Sequence, residues 1–176
     1  MKRILAIGAS NSKKSINSLF ATYVANELEN VSVITLNWND LILPIYSPDL
    51  EFESGIPENI YYFKNLIESV DGIVLSLAEY NGMTTAAFKN LWDWTSRVDM
   101  KFWANKPMFL SSVSPGNRGG VNVLEIINNL IPHFGGNIIS KFSLPTFHSN
   151  FQKGELINTH LKEDLMVQIL NFQKAL

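Results

Sequence analysis

The sequence predicts an α/β fold in which helices cover both faces of a five-stranded parallel sheet. Short apolar runs alternate along the chain with longer stretches whose apolar residues recur at helical spacing, and this alternation is typical of repeated βαβ units. The chain has 176 residues, of which 46% are hydrophobic. Because that length and composition suit one well-buried core, we assign residues 1–176 to a single domain.

The five strands are predicted where short apolar runs occur, near residues 3–8, 31–36, 72–77, 107–113 and 137–141. Between and after these runs, apolar residues spaced three and four apart predict helices. The clearest helical stripe lies at the C-terminus, and its members are Leu161, Leu165, Ile169, Phe172 and Leu176.

Two intervening segments are less regular. Residues 84–98 predict a helix with apolar residues on all sides, including Phe88, Trp92 and Trp94. Such a helix must be covered on more than one face, either by the core of its own chain or by a partner subunit. Residues 37–57 contain three prolines and a glycine, and they predict an irregular loop that crosses the edge of the sheet.

Composition excludes several classes of function. The chain has no cysteine, which excludes disulfides, thiolate nucleophiles and Cys-ligated metal centres. The formal net charge is −2 and no long basic cluster occurs, so we expect no nucleic-acid partner. His133, His148 and His160 are isolated, so we expect no metal site. No apolar run is long enough to span a membrane, and we expect a cytoplasmic protein.

The loop after the first strand is a candidate phosphate site. In an open parallel sheet, ligands bind beyond the carboxyl ends of the strands. Here the segment from Ser10 to Ser18 places hydroxyl and amide side chains before a predicted helix. Free N–H groups and the helix dipole favour a phosphate at such a helix start, although Ser and Asn are also common helix caps. The loop contains neither G-x-x-x-x-G-K-[ST] nor G-x-G-x-x-G, which disfavours a P-loop nucleotidase and a Rossmann dinucleotide domain.

The loops after the third and fourth strands can approach a ligand closely with their main chains. Asn81-Gly82 would usually join antiparallel strands, but a helix follows, so we predict a tight βα loop that sets Tyr80 along a planar heterocycle. Residues 114–120 contain three glycines and a proline. Each loop alone could be a plain connection, but the coincidence of all three at one sheet edge favours a binding site.

Three motifs in these loops resemble the NADPH-dependent FMN reductase family, a flavodoxin-like group that includes quinone, chromate and azo-compound reductases. The first motif, roughly G-S-x-R-x-x-S-x-N in the family, is matched by Ser10, Ser15 and Asn17. The second, P-E-Y-N-G-x-x-x-x-x-L-K-N-x-x-D-W, is followed over residues 78–94. The third, S-P-G-x-x-G-G, spans residues 114–120, and a smaller likeness, P-x-x-x-x-D, spans residues 44–49.

The resemblance implies a flavodoxin-like sheet of order 2-1-3-4-5 and an FMN-dependent oxidoreductase with NADPH or NADH as electron donor. It also implies a small acceptor such as a quinone, a free flavin or a metal oxyanion, and a homodimer or homotetramer with FMN near the interface. Because FMN carries the chemistry, no catalytic acid or base is implied. The implied cofactor-binding residues are Ser10, Ser12, Ser15, Ile16, Asn17, Glu79, Tyr80, Asn81, Gly82, Ser114 and Gly116.

Two departures from the family pattern bear on cofactor affinity. Ser12 stands where the family has an arginine, and this removes a guanidinium that grips phosphate with two hydrogen bonds. Lys13 or Lys14 could replace it as a point charge. Ala78 stands where the family has a proline, which loosens the loop. Two alternatives therefore stay open: a non-catalytic flavoprotein, either electron carrier or partner-binding module, and an oligomeric scaffold that no longer binds flavin tightly.

Overall fold

The computed structural model describes residues 1–176 and contains five strands in the order β2-β1-β3-β4-β5. All neighbouring strands in this sheet run parallel, so the predicted strand order and strand direction are confirmed. The observed limits match the predicted ones to within one residue, except that the fifth strand extends three residues further. The strands are β1 (Lys2–Ala9), β2 (Val31–Thr35), β3 (Gly72–Leu77), β4 (Pro107–Val113) and β5 (Asn137–Leu144).

Helices cover both faces of the sheet, as predicted. They are α1 (Ile16–Asn26), α2 (Pro48–Ser54), α3 (Glu58–Glu68), α4 (Ala86–Val98), α5 (Val121–Leu130), α6 (Phe147–Asn150) and α7 (Thr159–Ala175). The buried residues of α1 and α7 belong to one apolar cluster, and those of α3, α4 and α5 belong to the other. The sheet lies between these two clusters, which is the doubly wound arrangement.

The alternation of side chains along β1 explains how one strand serves both cores. Leu5 and Ile7 pack into the cluster beneath α3, α4 and α5, whereas Ile4 and Ala6 pack against α1 and α7. Successive side chains of a strand point to opposite faces. A strand that is buried on both faces must therefore be continuously apolar, and this is why the first strand is readable as an unbroken apolar run.

The aromatic residues of α4 are covered by the same chain. Trp92 packs edge-on against Phe102, Trp103 and Phe134, with ring centroids 4.9 to 5.7 Å apart. Trp94 is fully buried. Of the two possible covers for this helix, packing within the chain is therefore the one observed.

Residues 37–57 are more ordered than predicted. They contain a 3₁₀ turn at Trp38–Leu41 and the helix α2. The start of α2 carries ordinary capping signals, because the Ser47 hydroxyl accepts a hydrogen bond from the Leu50 N–H (3.1 Å) and Pro48 occupies the first turn. The prediction of an irregular loop was wrong here, because a proline can also occupy the first turn of a helix, as Pro48 does in α2.

A small hairpin follows β5 and was also missed. It pairs β6 (Phe151–Gln152) with β7 (Glu155–Leu156) in antiparallel fashion. Strands of two residues carry too little pattern to be read from sequence. None of the helices has the length and apolar character needed to cross a membrane.

Candidate active site

The loops after β1, β3 and β4 lie side by side because the strands end in register. Ala9 pairs with Leu77, and Leu77 pairs with Ser112. The carboxyl ends of the three central strands therefore form one edge, as the sequence predicted. Residues from all three loops line a single cavity of about 160 Å³ at that edge.

Local hydrogen bonds from main-chain N–H groups to serine hydroxyls stabilise the β1–α1 loop. The Ser10 hydroxyl, which is buried, accepts a hydrogen bond from the Ser12 N–H (3.2 Å). The Ser12 hydroxyl accepts from the Lys14 N–H (3.3 Å), and the Ser15 hydroxyl accepts from the Ser18 N–H (3.1 Å), which caps α1. Because each hydroxyl oxygen serves as an acceptor, its O–H proton stays available to donate. None of these three protons has an acceptor within the protein.

The start of α1 adds main-chain donors to the same cavity. No protein group accepts a hydrogen bond from the N–H of Ile16 or Asn17, which occupy the first helical turn. The Lys14 side chain also lines the cavity and pairs with no carboxylate. Three O–H donors, two N–H donors and a positive helix end therefore face one small space, a donor set that suits a phosphate.

The Asn17 side chain is engaged in holding the sheet edge together. Its amide nitrogen donates to the Val113 carbonyl (3.1 Å), and its amide oxygen accepts from the Val113 N–H (3.1 Å) and the Ser76 hydroxyl (2.7 Å). The side chain is 2% exposed. Asn17 thus joins α1 to β3 and β4 through its side chain, and its main-chain N–H has no acceptor in the protein.

The β3–α4 loop is a miniature hairpin followed directly by a helix. Tyr80 and Met83 exchange two main-chain hydrogen bonds of 2.9 and 3.0 Å. Asn81 and Gly82 between them have φ values of 53° and 77°, as a type I′ turn requires. Asn81 and Gly82 therefore form the tight turn that such a pair usually makes, and the turn lies in the connection between β3 and α4. The Tyr80 side chain is about half exposed and lines the cavity.

Glu79 connects this loop to the next one. Its carboxylate accepts a hydrogen bond from the Val123 N–H (3.0 Å), in the first turn of α5. The positive end of the helix dipole favours a carboxylate there. In the neighbouring loop, the Ser112 hydroxyl donates to the Gly119 carbonyl (2.7 Å) and the Ser114 hydroxyl to the Gly116 carbonyl (3.2 Å). The Glu79 bond thus links the β3–α4 loop to α5, and the two serine bonds fix the shape of the β4–α5 loop.

The second half of the long motif holds the segment between β2 and α3. The Asn90 amide and the Trp94 indole N–H both donate to the Pro44 carbonyl, at 2.9 and 2.8 Å. The Asn90 oxygen also accepts from the Tyr46 N–H (2.9 Å). Desolvation, together with a hydrogen bond to Glu51, raises the pKa of the Tyr46 phenol above its ordinary value. These contacts give a structural role to motif residues that lie outside the cavity.

Eight of the eleven residues assigned from sequence line the cavity. They are Ser10, Ser12, Ser15, Ile16, Asn17, Glu79, Tyr80 and Ser114. Asn81, Gly82 and Gly116 lie in the same loops but do not line it. Lining residues absent from that assignment are Lys14, Ala78, Val113 and Pro115. Lys14 is a cation beside the predicted phosphate site, Ala78 and Pro115 lie within the family motifs, and Val113 carried no sequence signal.

Comparison with known families identifies the family of this chain. The sequence profile of the NADPH-dependent FMN reductases matches residues 2–149, a stretch that contains all three loops. The chain belongs to the NADPH-dependent FMN reductase family. As a member of this family it is a flavin-dependent oxidoreductase that uses FMN and takes electrons from NAD(P)H, which confirms the activity and the cofactor expected from the motifs.

Relatives of this FMN reductase-family protein match along almost its whole length. A quinone reductase of Escherichia coli (strain K12) is 26% identical, covering 97% of this chain and 93% of its own. An NADPH:quinone oxidoreductase of Arabidopsis thaliana is 29% identical, covering 97% and 90%. FerB, a flavoenzyme NAD(P)H:(acceptor) oxidoreductase from Paracoccus denitrificans, superposes with a TM-score of 0.78 at 22% identity over 99% of both chains. This last likeness supports the fold.

Proposed function

We propose that this enzyme transfers electrons from a reduced nicotinamide through FMN to a quinone-type acceptor, at the cavity between the β1–α1, β3–α4 and β4–α5 loops. The observation that carries the proposal is the set of unpaired donors in the β1–α1 loop. Three hydroxyl protons and two main-chain N–H groups meet at one helix start and have no acceptor in the protein. Two relatives that align over most of their length are named as quinone reductases.

In this proposal the FMN phosphate occupies the donor set of the β1–α1 loop. Ser10, Ser12 and Ser15 donate through their hydroxyls, and Ile16 and Asn17 donate through their main-chain N–H groups. Charge-assisted hydrogen bonds of this kind are roughly twice as strong as neutral ones. The helix dipole of α1 adds to the attraction. Lys14 supplies the full positive charge that a family arginine would otherwise bring.

The isoalloxazine ring would then lie against the other two loops. Tyr80 offers an aromatic surface, and the rigid turn at Asn81 and Gly82 presents main-chain groups beside it. Ser114 and Gly116 close the opposite side. Glu79 acts as a positioning residue, since its bond to α5 keeps the β3–α4 and β4–α5 loops at a fixed separation. Bound FMN supplies the redox chemistry, and the protein residues bind and orient it.

The anaerobic absorbance spectrum of the FMN-reconstituted protein tests this function. We expect the flavin band to bleach when NADPH is added and to return when a benzoquinone follows. A colourless protein that takes up no FMN would support the scaffold alternative. A flavin that bleaches but is not reoxidised by quinones would support a carrier, and either result would overturn the proposal.

Two variants of the β1–α1 loop test the assignment of residues. Ser10→Ala removes one charge-assisted donor, which is worth about 1.5–3 kcal/mol, so the FMN dissociation constant should rise roughly 10- to 100-fold. Ser12→Arg restores the family cation at an exposed position and should tighten binding by about tenfold. Ser32→Ala, an exposed serine in β2 near the opposite edge of the sheet, is the control. Equal FMN affinity in all three variants would contradict the assignment.

We further propose that the enzyme works in the cytoplasm as a homodimer or homotetramer that completes the flavin site. A cavity of about 160 Å³ is smaller than the usual range for ligands of this size. The segment between β2 and α3 carries strongly exposed apolar residues, Ile42, Ile45 and Phe52, which are 79–93% exposed, and Ile42 and Ile45 line a shallow pocket with Ala86 and Ala87 at the start of α4. Exposed apolar patches are typical of subunit contacts. A reduced nicotinamide donor is a cytoplasmic metabolite, which supports the location.

Light scattering tests the oligomer. The wild-type protein should have at least twice the mass of the chain, and Ile45→Glu should produce monomers that retain less FMN. Ile157→Glu, at a half-exposed position in the segment between β7 and α7, is the matched control and should change neither mass nor FMN content. A wild-type monomer with full FMN occupancy would refute this part of the proposal.

A further inference from the structure

A second and larger cavity lies on the other side of the β1–α1 loop, toward β2. Its volume is about 550 Å³, within the usual range for small-molecule sites. Side chains of the β1–α1 loop, of α1 and of the segment after β2 line it. Ser12, Lys14 and Ser15 line both this cavity and the flavin cavity. The two spaces are therefore neighbours, and one elongated molecule can reach from one into the other.

The charge of this second cavity is positive. Lys13 and Lys14 both line it, no Asp or Glu does, and neither lysine pairs with a carboxylate. Asp40 directly follows the lining residues 37–39 in the sequence, and its carboxylate accepts a hydrogen bond from the Asn37 amide (3.3 Å). Unneutralised lysines in a concave wall attract an anionic ligand. Lys14 also faces the flavin cavity, so Lys13 is the cation that belongs to the second cavity alone.

The rest of the lining offers an aromatic ring and uncharged polar groups. Trp38 is half-buried, and its indole N–H donates to the Gly8 carbonyl (2.7 Å). This bond fixes the ring in place along the cavity. Ring surfaces of this kind stack on nucleobases without regard to sequence. The Asn39 amide and the Thr22 hydroxyl lie in the same lining, where they can bond to base or ribose edges.

We propose that this cavity binds the adenosine 2′-phosphate end of NADPH, with adenine on Trp38 and the 2′-phosphate on Lys13. The inference rests on the proposed function, because the donor must extend from this cavity past Ser12, Lys14 and Ser15, beside the FMN phosphate, to bring its nicotinamide to the ring. NADH lacks the 2′-phosphate but keeps the adenine. Lys13 therefore gives the enzyme a preference for NADPH, and Trp38 contributes to the binding of both donors.

Steady-state kinetics of Lys13→Ala test the assignment of the phosphate. We expect kcat/KM for NADPH to fall about tenfold, as the loss of one lysine–phosphate contact implies, while kcat/KM for NADH changes less than twofold. Lys174→Ala, an exposed and unpaired lysine at the end of α7, is the matched control and should alter neither value. Equal losses with the two donors, or no loss with either, would overturn the proposal.

Calorimetry with nucleotide fragments tests the same site without turnover. FMN-loaded wild-type protein should bind adenosine 2′,5′-bisphosphate about tenfold more tightly than AMP, and Lys13→Ala should abolish that difference. Trp38→Leu, checked for folding by circular dichroism, should weaken both ligands. Displacement of FMN by the bisphosphate would mean that the fragment binds the flavin phosphate site, which would contradict the inference.

The two proposals fail in different ways. A wild-type protein that binds no FMN or oxidises no NADPH would refute the proposed function. An active FMN enzyme whose Lys13→Ala variant keeps the wild-type ratio of NADPH to NADH efficiency would refute only the adenosine site.

Discussion

Replacing Asn17 by alanine should separate the stability of the fold from the binding of its cofactor. The Asn17 amide bridges α1, β3 and β4 through three hydrogen bonds of 2.7 to 3.1 Å, and it is almost fully buried. Asn17→Ala removes all three bonds at once. Its main-chain N–H, the group assigned to the FMN phosphate, is unchanged. We therefore expect a large loss of stability and a small change in the FMN affinity of the folded protein.

The size of the loss follows from the groups left without partners. The Val113 N–H, the Val113 carbonyl and the Ser76 hydroxyl would each lose a bond, and an unsatisfied buried polar group costs about 1–3 kcal/mol. Water can enter from the adjoining cavity and replace part of the loss. The Ser76 hydroxyl can also rotate toward another acceptor. We expect the free energy of unfolding to fall by roughly 2–5 kcal/mol.

Urea denaturation followed by circular dichroism measures this change. The control is Asn137→Ala at the exposed start of β5, where the amide makes no hydrogen bond to the protein; it should shift the free energy of unfolding by less than about 0.5 kcal/mol. FMN fluorescence titration of the folded variants gives the second readout. A loss below about 1 kcal/mol for Asn17→Ala would refute the bridging role, as would a fall in FMN affinity with unchanged stability.

Three further substitutions test other parts of the structure. Gly8→Ala should prevent stable folding, measured by circular dichroism, because its Cβ would lie within 2.5 Å of the main chain of α1. Trp94→Phe replaces a fully buried indole by a smaller phenyl ring and loses the bond to the Pro44 carbonyl, so urea denaturation should show a loss of about 1–3 kcal/mol. The Arg3 N–H holds the pKa of the Asp71 carboxylate below its ordinary value. That contribution is complete above the ordinary carboxyl pKa and disappears as the pH falls below about 4, so Asp71→Asn should flatten the acid limb of a stability–pH curve.

The fold was predictable because its strands are buried on both faces. A run such as residues 72–77, which is buried throughout and polar only at Ser76, is typical of a central parallel strand when it lies between two helical stripes. The segment between β2 and α3 was not predictable in the same way. The stretch that joins its 3₁₀ turn to α2 is held by Asn90 and Trp94, which are distant in sequence: both donate to the Pro44 carbonyl, and the Asn90 oxygen accepts from the Tyr46 N–H. Local patterns do not carry such tertiary contacts.

The site was predictable to the level of loops but not to the level of side-chain roles. Sequence position placed Ser10 and Ser15 at a helix start, and their hydroxyls lie at the cavity as expected. The first motif gave no sign that the Asn17 side chain would bond to the sheet edge and not to a ligand. The second motif gave no sign that the Glu79 carboxylate would cap α5. Both residues bond to groups more than forty positions away, and only the folded chain brings those groups together.

The motifs of this family therefore contain two kinds of residue. Ser10, Ser12 and Tyr80 present groups to the cavity, whereas Asn17 and Glu79 hold the cavity's walls to each other. Substitutions in the first set should change cofactor affinity while the loops keep their positions. Substitutions in the second set should mainly lower the stability of the framework that holds the loops, as expected for Asn17→Ala. The departure at Ser12 belongs to the first set, so in the proposed site it weakens one contact with the phosphate and leaves the hydrogen bonds between the loops unchanged.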